Sequence, residues 1–236
     1  MYVKVLCDEK AKRGLQPSRG FACLLNNRVL FDTAEDPSML LDNMKHMMVD
    51  PARLDAVVVS HEHWDHTGGL WEILRMNPGI KVYACPSFSN IFKECVNELG
   101  RELIMSEGSV QVAENVFTTG EMMGEYKEEP MPEQALVVKG DSGVSIITGC
   151  AHPGILRIVE KVKKDFDTDE IYLVFGGFHI GKMDREDITR LAGRFKELKV
   201  QKVGPSHCSG MKARMIFRGK YLSGYVGVKA GHIIHL

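Results

Sequence analysis

Ser60-His61-Glu62-His63-Trp64-Asp65-His66-Thr67-Gly68-Gly69 packs three histidines and two acids into six consecutive positions. The stretch before it, Leu54-Asp55-Ala56-Val57-Val58-Val59, is short, apolar and β-branched, the pattern of a buried strand. The stretch after it, Leu70-Trp71-Glu72-Ile73-Leu74, opens a helix. A strand that ends in clustered ligand-type side chains, with two glycines behind them, reads as a metal-binding loop. His61 and His63 are two apart, so in extended chain they point the same way. Asp65 and His66 lie past the turn and can face a neighbouring position. Imidazole nitrogens with a carboxylate suit zinc, iron or manganese.

The same grammar recurs outward from this loop. Phe21–Leu25 and Arg28–Asp32 are two strands joined by Asn26-Asn27, a dipeptide that tolerates the positive φ of a tight hairpin turn. Asp32 closes the second of them. Ala135–Val138 and Val144–Thr148 form another hairpin that ends in Gly149-Cys150-Ala151-His152. The strand Ile171–Phe175 runs into Gly176-Gly177-Phe178-His179, and Lys202-Val203 leads to His207. Helices are expected over 37–48, 70–76, 87–99, 155–164 and 187–198, with strands over 80–84 and within 102–118. Residues 121–132 are acidic, carry two prolines and read as a loop that covers a site. Residues 225–236 alternate as closing strands. Hairpin, helix, strand and ligand-rich loop thus occur in both halves, an internal repeat within one domain spanning 1–236.

Composition excludes several classes. The 236 residues are 44% hydrophobic and 26% charged, enough apolar content for a sizeable core. The formal net charge of −1 argues against a nucleic-acid partner, which needs a basic surface. No apolar run approaches the ~18 residues of a membrane span. Six cysteines at 7, 23, 85, 95, 150 and 208, without a C-x-x-C, read as reduced thiols of a cytoplasmic protein. Cys150 and Cys208 each neighbour a histidine and are either packing residues or metal ligands. Lys212, Arg214, Arg218 and Lys220 follow His207 and are either phosphate contacts or a solvated face.

These motifs together resemble the metallo-β-lactamase superfamily. The likeness rests on His61-x-His63-x-Asp65-His66 after a strand, Asp32 after a hairpin, His152 after Gly149-Cys150, and a late His207. It implies an α+β fold, a four-layer αββα sandwich with an internal pseudo-twofold repeat. It also implies one or two divalent transition metals, zinc foremost, with manganese, iron or magnesium as alternatives. By the same resemblance, His61, His63 and His152 hold a first ion. Asp65, His66 and His207 hold a second, and Asp32 orients a ligand histidine from behind.

One position departs from the family pattern. The family usually has a metal-bridging aspartate after the strand that follows His152. Here that strand ends in Gly176-Gly177-Phe178-His179. A neutral imidazole has one lone pair and bridges two cations poorly. His179 is therefore kept as a site residue, for substrate or proton transfer, beside Asp65 as ligand and proton acceptor. The third motif position is His63, where the di-iron branch of the superfamily has an acid, so a redox role is disfavoured.

Glu133-Gln134-Ala135-Leu136, Gly149–Ile155, Gly176–His179 and His207-Cys208-Ser209-Gly210 are similar to a prokaryotic branch of hydrolase-like members. That branch includes the archaeal enzyme joining a dihydropterin-methyl diphosphate to β-ribofuranosylaminobenzene 5′-phosphate in methanopterin biosynthesis. The expected function is a metal-dependent hydrolase acting on a small, phosphorylated or other small-molecule substrate. The alternatives are that transferase step, or a non-enzymatic metal-binding or sensing role.

Overall fold

The computed structural model describes residues 1–236. In chain order the first half comprises β1 (Tyr2–Cys7), β2 (Ala22–Leu25), β3 (Val29–Phe31), α1 (Pro37–His46) and β4 (Ala56–Val58). It continues with α2 (Trp64–Thr67), α3 (Leu70–Met76), β5 (Lys81–Ala84), α4 (Asn90–Glu98) and β6 (Glu102–Met105). The middle is all strand: β7 (Gln111–Ala113), β8 (Val116–Thr118), β9 (Met122–Tyr126), β10 (Glu129–Glu133), β11 (Leu136–Gly140) and β12 (Gly143–Thr148). Then come α5 (Ile155–Asp165), β13 (Ile171–Gly177), α6 (Arg185–Glu197), β14 (Val200–Ser206), α7 (Gly210–Tyr221) and β15 (Ile233–His235).

The apolar runs become strands buried on both faces, and alternation along each strand divides its side chains between two cores. Val57 of β4 points to helices α1, α3 and α4, while Ala56 and Val58 point to the other sheet. Val174 of β13 packs against α5, α6 and α7, while Leu173 and Phe175 fill the space between the sheets. The result is four layers, helices outside and two sheets within, as the α+β sandwich expectation holds. The seven-stranded sheet runs β15-β1-β2-β3-β4-β5-β6, and the six-stranded sheet runs β14-β13-β12-β11-β8-β7.

Both sheets contain an antiparallel hairpin followed by parallel strands: β2–β3 then β4, β5, and β11–β12 then β13, β14. The likeness is one of local order. The sheets differ in strand number, and the β9–β10 pair stands apart from both. Parallel pairing brings the C-terminal ends of β3, β4, β12, β13 and β14 to one edge of the sandwich, where crevices of parallel sheets bind ligands.

Two expectations change, and one segment left open is defined. Residues 121–132 are not a loop but the β9–β10 hairpin, turned by Lys127 and Glu128, both at positive φ. Its prolines, Pro130 and Pro132, sit on a strand with a single partner, where a missing N–H costs nothing. The tail supplies only β15, together with isolated bridges at Tyr225 and Ala230. The segment after His207 is a full helix, α7, whose buried face is Ala213, Phe217 and Tyr221. The Asn26-Asn27 turn is as expected, with φ of 45° and 57°.

The metal-type loop is clamped by close backbone approaches. Gly20 has φ of +77°, and a Cβ there would lie 1.6 Å from the Asp65 carbonyl oxygen. Gly20→Ala combines left-handed strain with a backbone clash, so a stability loss of at least about 2 kcal/mol is expected. Urea unfolding measures it; an unchanged midpoint would show that the 60–69 loop is not held this way.

Candidate metal centre

Each strand end at this edge delivers one or more side chains. β3 ends in Asp32, β4 in Ser60 and the histidine loop, β12 in Cys150 and His152, β13 in His179, and β14 in His207. The structure brings His61, His63, Asp65, His66, His152 and His207 into one cluster. The ring centroids of His61 lie 4.2 Å from His66 and 4.7 Å from both His63 and His152. His66 and His207 are 5.0 Å apart.

Two buried carboxylates decide which ring nitrogens face inward. Asp32 is fully buried and accepts the Ser60 N–H at 2.7 Å, the Ser60 hydroxyl at 2.7 Å and His66 Nδ1 at 2.7 Å. Because the Ser60 hydroxyl spends its proton on Asp32, it must accept from His61 Nδ1, 2.8 Å away. His61 therefore presents a bare Nε2, and Nε2 is also the only nitrogen of His66 free to lose its proton. The second carboxylate is Glu133. It accepts the backbone N–H groups of Cys150, Ala151 and His152 at 2.7–2.9 Å and His152 Nδ1 at 2.8 Å. The lone pair of His152 is thus also on Nε2, which is buried with no hydrogen-bond partner.

The inward atoms fall into two sets. In the first, His61 Nε2 is 3.1 Å from His63 Nδ1, and the His152 ring stands beside both, 4.7 and 4.9 Å away between centroids. In the second, His66 Nε2 is 3.3 Å from His207 Nε2, which is 3.4 Å from Asp65 Oδ2. Two donors on one tetrahedral zinc stand roughly 3.3–3.6 Å apart, given Zn–N near 2.0 Å and Zn–S near 2.3 Å. The donor chemistry and spacing fit a pair of divalent cations.

The electrostatics agree. Burial, then the neighbouring histidines, push His61 well below the usual imidazole range, and the same causes take His207 down to about 2. Burial and His152 hold His63 down to about 4. His66 is the exception: burial opposes its charge, but the Asp32 carboxylate outweighs that and holds it up at about 9. His61, His63 and His207 are thus kept neutral, the form in which an imidazole can bind a cation.

Further residues complete the picture. Asp8, fully buried, accepts the His207 N–H at 2.9 Å and so fixes the last histidine, which has φ of 44°. Burial pushes Asp8 up to about 6. Arg214 of α7 is 3.4 Å from Asp8, so this basic residue is a buried partner of the β1 end rather than a phosphate contact. Glu62 faces away from the cluster and binds Ser89 at the start of α4. His179 is exposed on the rim, its ring 4.6 Å from that of His152 and its N–H donating to Cys208 Sγ at 3.3 Å. The same thiol, through its hydrogen bond with the His179 side chain, is the main cause raising the imidazole. The β9–β10 hairpin roofs this side, with the Tyr126 ring 4.5 Å from His63 and 5.8 Å from His179.

Glu133, Asp8 and Tyr126 were not legible as site residues. Glu133 had one signal: it opens the motif Glu133-Gln134-Ala135-Leu136 just ahead of β11. Asp8 had one too, as an acid at the end of β1.

Residues 27–117 match the family model described as the β-lactamase superfamily domain. The chain is 29% identical to 7,8-dihydropterin-6-methyl-4-(β-D-ribofuranosyl)-aminobenzene-5′-phosphate synthase of Methanocaldococcus jannaschii, covering 89% of this chain and 85% of the relative. It is similar to the crystal structure of Tm1679, a metal-dependent hydrolase of the β-lactamase superfamily. That similarity has a TM-score of 0.83 and 28% identity over 100% of this chain and 99% of the other. YhfI of Bacillus subtilis, a metallo-β-lactamase fold protein, shares the fold at TM-score 0.69 and 15% identity, with 99% of each chain covered. No helix is long and apolar enough to cross a membrane, and all six cysteines are free.

Proposed function

From the premise that this is a chain of the metallo-β-lactamase fold, similar along nearly its whole length to a metal-dependent hydrolase, we propose that it is a metal-dependent hydrolase of a small, phosphorylated or otherwise polar molecule. The observation that carries this reading is the convergence of inward ring nitrogens whose protons are fixed on the outward side by Asp32 and Glu133. We assign His61, His63 and His152 to a first cation, and Asp65, His66 and His207 to a second. Zinc suits the nitrogen-rich set best. Bound cations would lower the pKa of a water held there to roughly 7 and polarise a carbonyl or phosphoryl oxygen.

The chain's own residues do the rest. Asp32 and Ser60 orient His61 and His66 together; Glu133 orients His152; Asp8 sets the backbone of His207. Asp65, with its side chain 21% exposed, is the carboxylate that can accept a proton from a substrate or water. His179 stands on the rim with a raised imidazole and is placed to donate one to a leaving group. The free thiols fit a reducing, cytoplasmic setting, and both sheets complete one site, so we treat 1–236 as one domain.

A second reading is favoured by one observation, the 29% identity across 89% of this chain to the archaeal synthase. In that reading the cations hold the charge of a departing diphosphate. A panel of lactones, phosphodiesters and a dihydropterin-methyl diphosphate with its ribosylated acceptor separates the two. Turnover of the last pair, with no hydrolysis of the others, would overturn the hydrolase reading.

The purified chain should carry about one to two transition-metal ions, and His61→Ala should lose more metal than His179→Ala. Elemental analysis that finds none, with no rebinding after dialysis against zinc, manganese or iron, would sink the metal reading. Equal loss in the two variants would place His179 among the ligands.

A further inference from the structure

The strand end where a bridging carboxylate is expected has no room for one. A Cβ on Gly177 would lie 2.2 Å from the Gly149 carbonyl oxygen and 2.8 Å from Cys208 Sγ. The space is taken by the neighbouring strand end, and that strand end carries a thiol. Cys150 is buried, and its Sγ lies 3.4 Å from His66 Nε2. It falls within 4.8 Å of the inward atoms of both His66 and His207.

Taken with Asp65, four donors surround one point. His66 Nε2 is 3.3 Å from His207 Nε2, 3.4 Å from Cys150 Sγ and 3.9 Å from Asp65 Oδ2; His207 Nε2 is 3.4 Å from Asp65 Oδ2. Three of these four separations match the edges of a tetrahedron around a zinc, roughly 3.3–3.6 Å, and the fourth is slack. The first set has three imidazoles, and its His61 and His152 also lie within 4.8 Å of the Cys150 sulfur; the 3.4 Å approach to His66 Nε2 is what places the thiol with the second set.

We propose that the Cys150 thiolate is the fourth protein ligand of the second cation, standing in for the carboxylate that β13 lacks. This rests on the reading above that the cluster holds cations. On binding, the Cys150 S–H bond breaks, its proton passes to water, and the sulfur electron pair goes to the cation. The second position is then closed by one carboxylate, two imidazoles and one thiolate. The first keeps three protein ligands and an open position. A closed position beside an open one divides the labour, since structural zinc takes four protein ligands and catalytic zinc three. A soft thiolate also biases the closed position toward zinc over magnesium or manganese.

X-ray absorption at the zinc edge tests this without any substrate. The Cys208→Ala protein, loaded with two zinc ions per chain, should show a sulfur scatterer at about 2.3 Å, averaging roughly half a sulfur per zinc. Cys150→Ser should lose that scatterer and bind one of its two zinc ions at least about tenfold more weakly, with manganese binding unchanged. Zinc bound with nitrogen and oxygen neighbours only would overturn the assignment, as would saturation at a single zinc. If Cys150→Ser does not fold, the Cys208→Ala spectrum decides whether the thiolate binds zinc, because no other cysteine sulfur is grouped with these ring nitrogens. Adding His61→Ala, which disables the first set, should leave the sulfur scatterer on the zinc that remains; its loss there would overturn the assignment to the second cation. A chain that binds no zinc at all would instead sink the metal reading itself, so the two failures are distinguishable.

Discussion

Replacing Glu133 with alanine is expected to lower stability by about 3–5 kcal/mol, because a buried carboxylate that serves four donors disappears. Three backbone N–H groups and the His152 ring nitrogen would be left facing an apolar hole. Glutamine separates the structural loss from the chemical one. Its amide oxygen can keep the Cys150 and Ala151 N–H groups. Its NH2 then faces the His152 backbone N–H, which loses its acceptor, and His152 Nδ1. The ring can answer only by moving its own proton to Nε2, the atom aimed into the cluster. Glu133→Gln should therefore fold, with a loss of about 1–3 kcal/mol, yet bind one of its metal ions some 10–100-fold more weakly. The other ion should be untouched. Zinc titration by equilibrium dialysis reads the stoichiometry, and nitrogen-15 chemical shifts of the histidine rings read the tautomer. A variant with His152 still bare at Nε2 and normal zinc binding would remove Glu133 from the site's logic.

What could be read from the sequence was local, and what could not was carried by packing across the chain. The His61–His66 loop declares itself because its ligands lie within six positions behind a β-branched strand. Asn26-Asn27 and Asp32 are legible for the same reason: turn chemistry and a strand end are short-range properties. Glu133 was hidden by its company. It closes an acidic stretch containing Glu125, Glu128 and Glu129, and only the register of β10 turns it inward, away from solvent. The hairpin itself was masked by Pro130 and Pro132, which argue against a strand unless it is an edge. Helix α7 was masked by Gly210 and Gly219 and by charged neighbours around a sparse apolar face four residues apart. Cys150 was legible as a histidine's neighbour, with packing residue and metal ligand both left open. Its sulfur meets His66 Nε2 only through the packing of the β12 end against the histidine loop, a contact 84 residues apart in the chain.

Replacing Asp32 with asparagine should damage both metal positions at once, where Glu133→Gln damages one. Asp32 has φ of 56°, a conformation that asparagine adopts more readily than most residues, so the backbone is preserved. The amide has one orientation that satisfies every neighbour. Its oxygen accepts the Ser60 N–H, and its NH2 points at the Ser60 hydroxyl and at His66 Nδ1, both now acceptors. The opposite orientation sets NH2 against a buried backbone N–H, at a cost of about 1–3 kcal/mol. In the favoured orientation the proton of His66 is pinned on Nε2, facing His207. The Ser60 hydroxyl, relieved of Asp32, donates to His61 Nδ1, and His61 in turn carries its proton on Nε2, facing His63. One substitution thus occupies a lone pair in each set. Asp32→Asn should fold and lose affinity for both ions by some 10–100-fold, and His66, without its carboxylate, should fall from its raised pKa of about 9. The relay runs through a single hydroxyl, so Ser60→Ala offers the check. It cuts His61 from Asp32 but leaves the Asp32–His66 bond in place, and should weaken only the first ion. Equal loss of both ions in Ser60→Ala, or undiminished binding in Asp32→Asn, would show that the carboxylate does not govern the tautomers of the cluster.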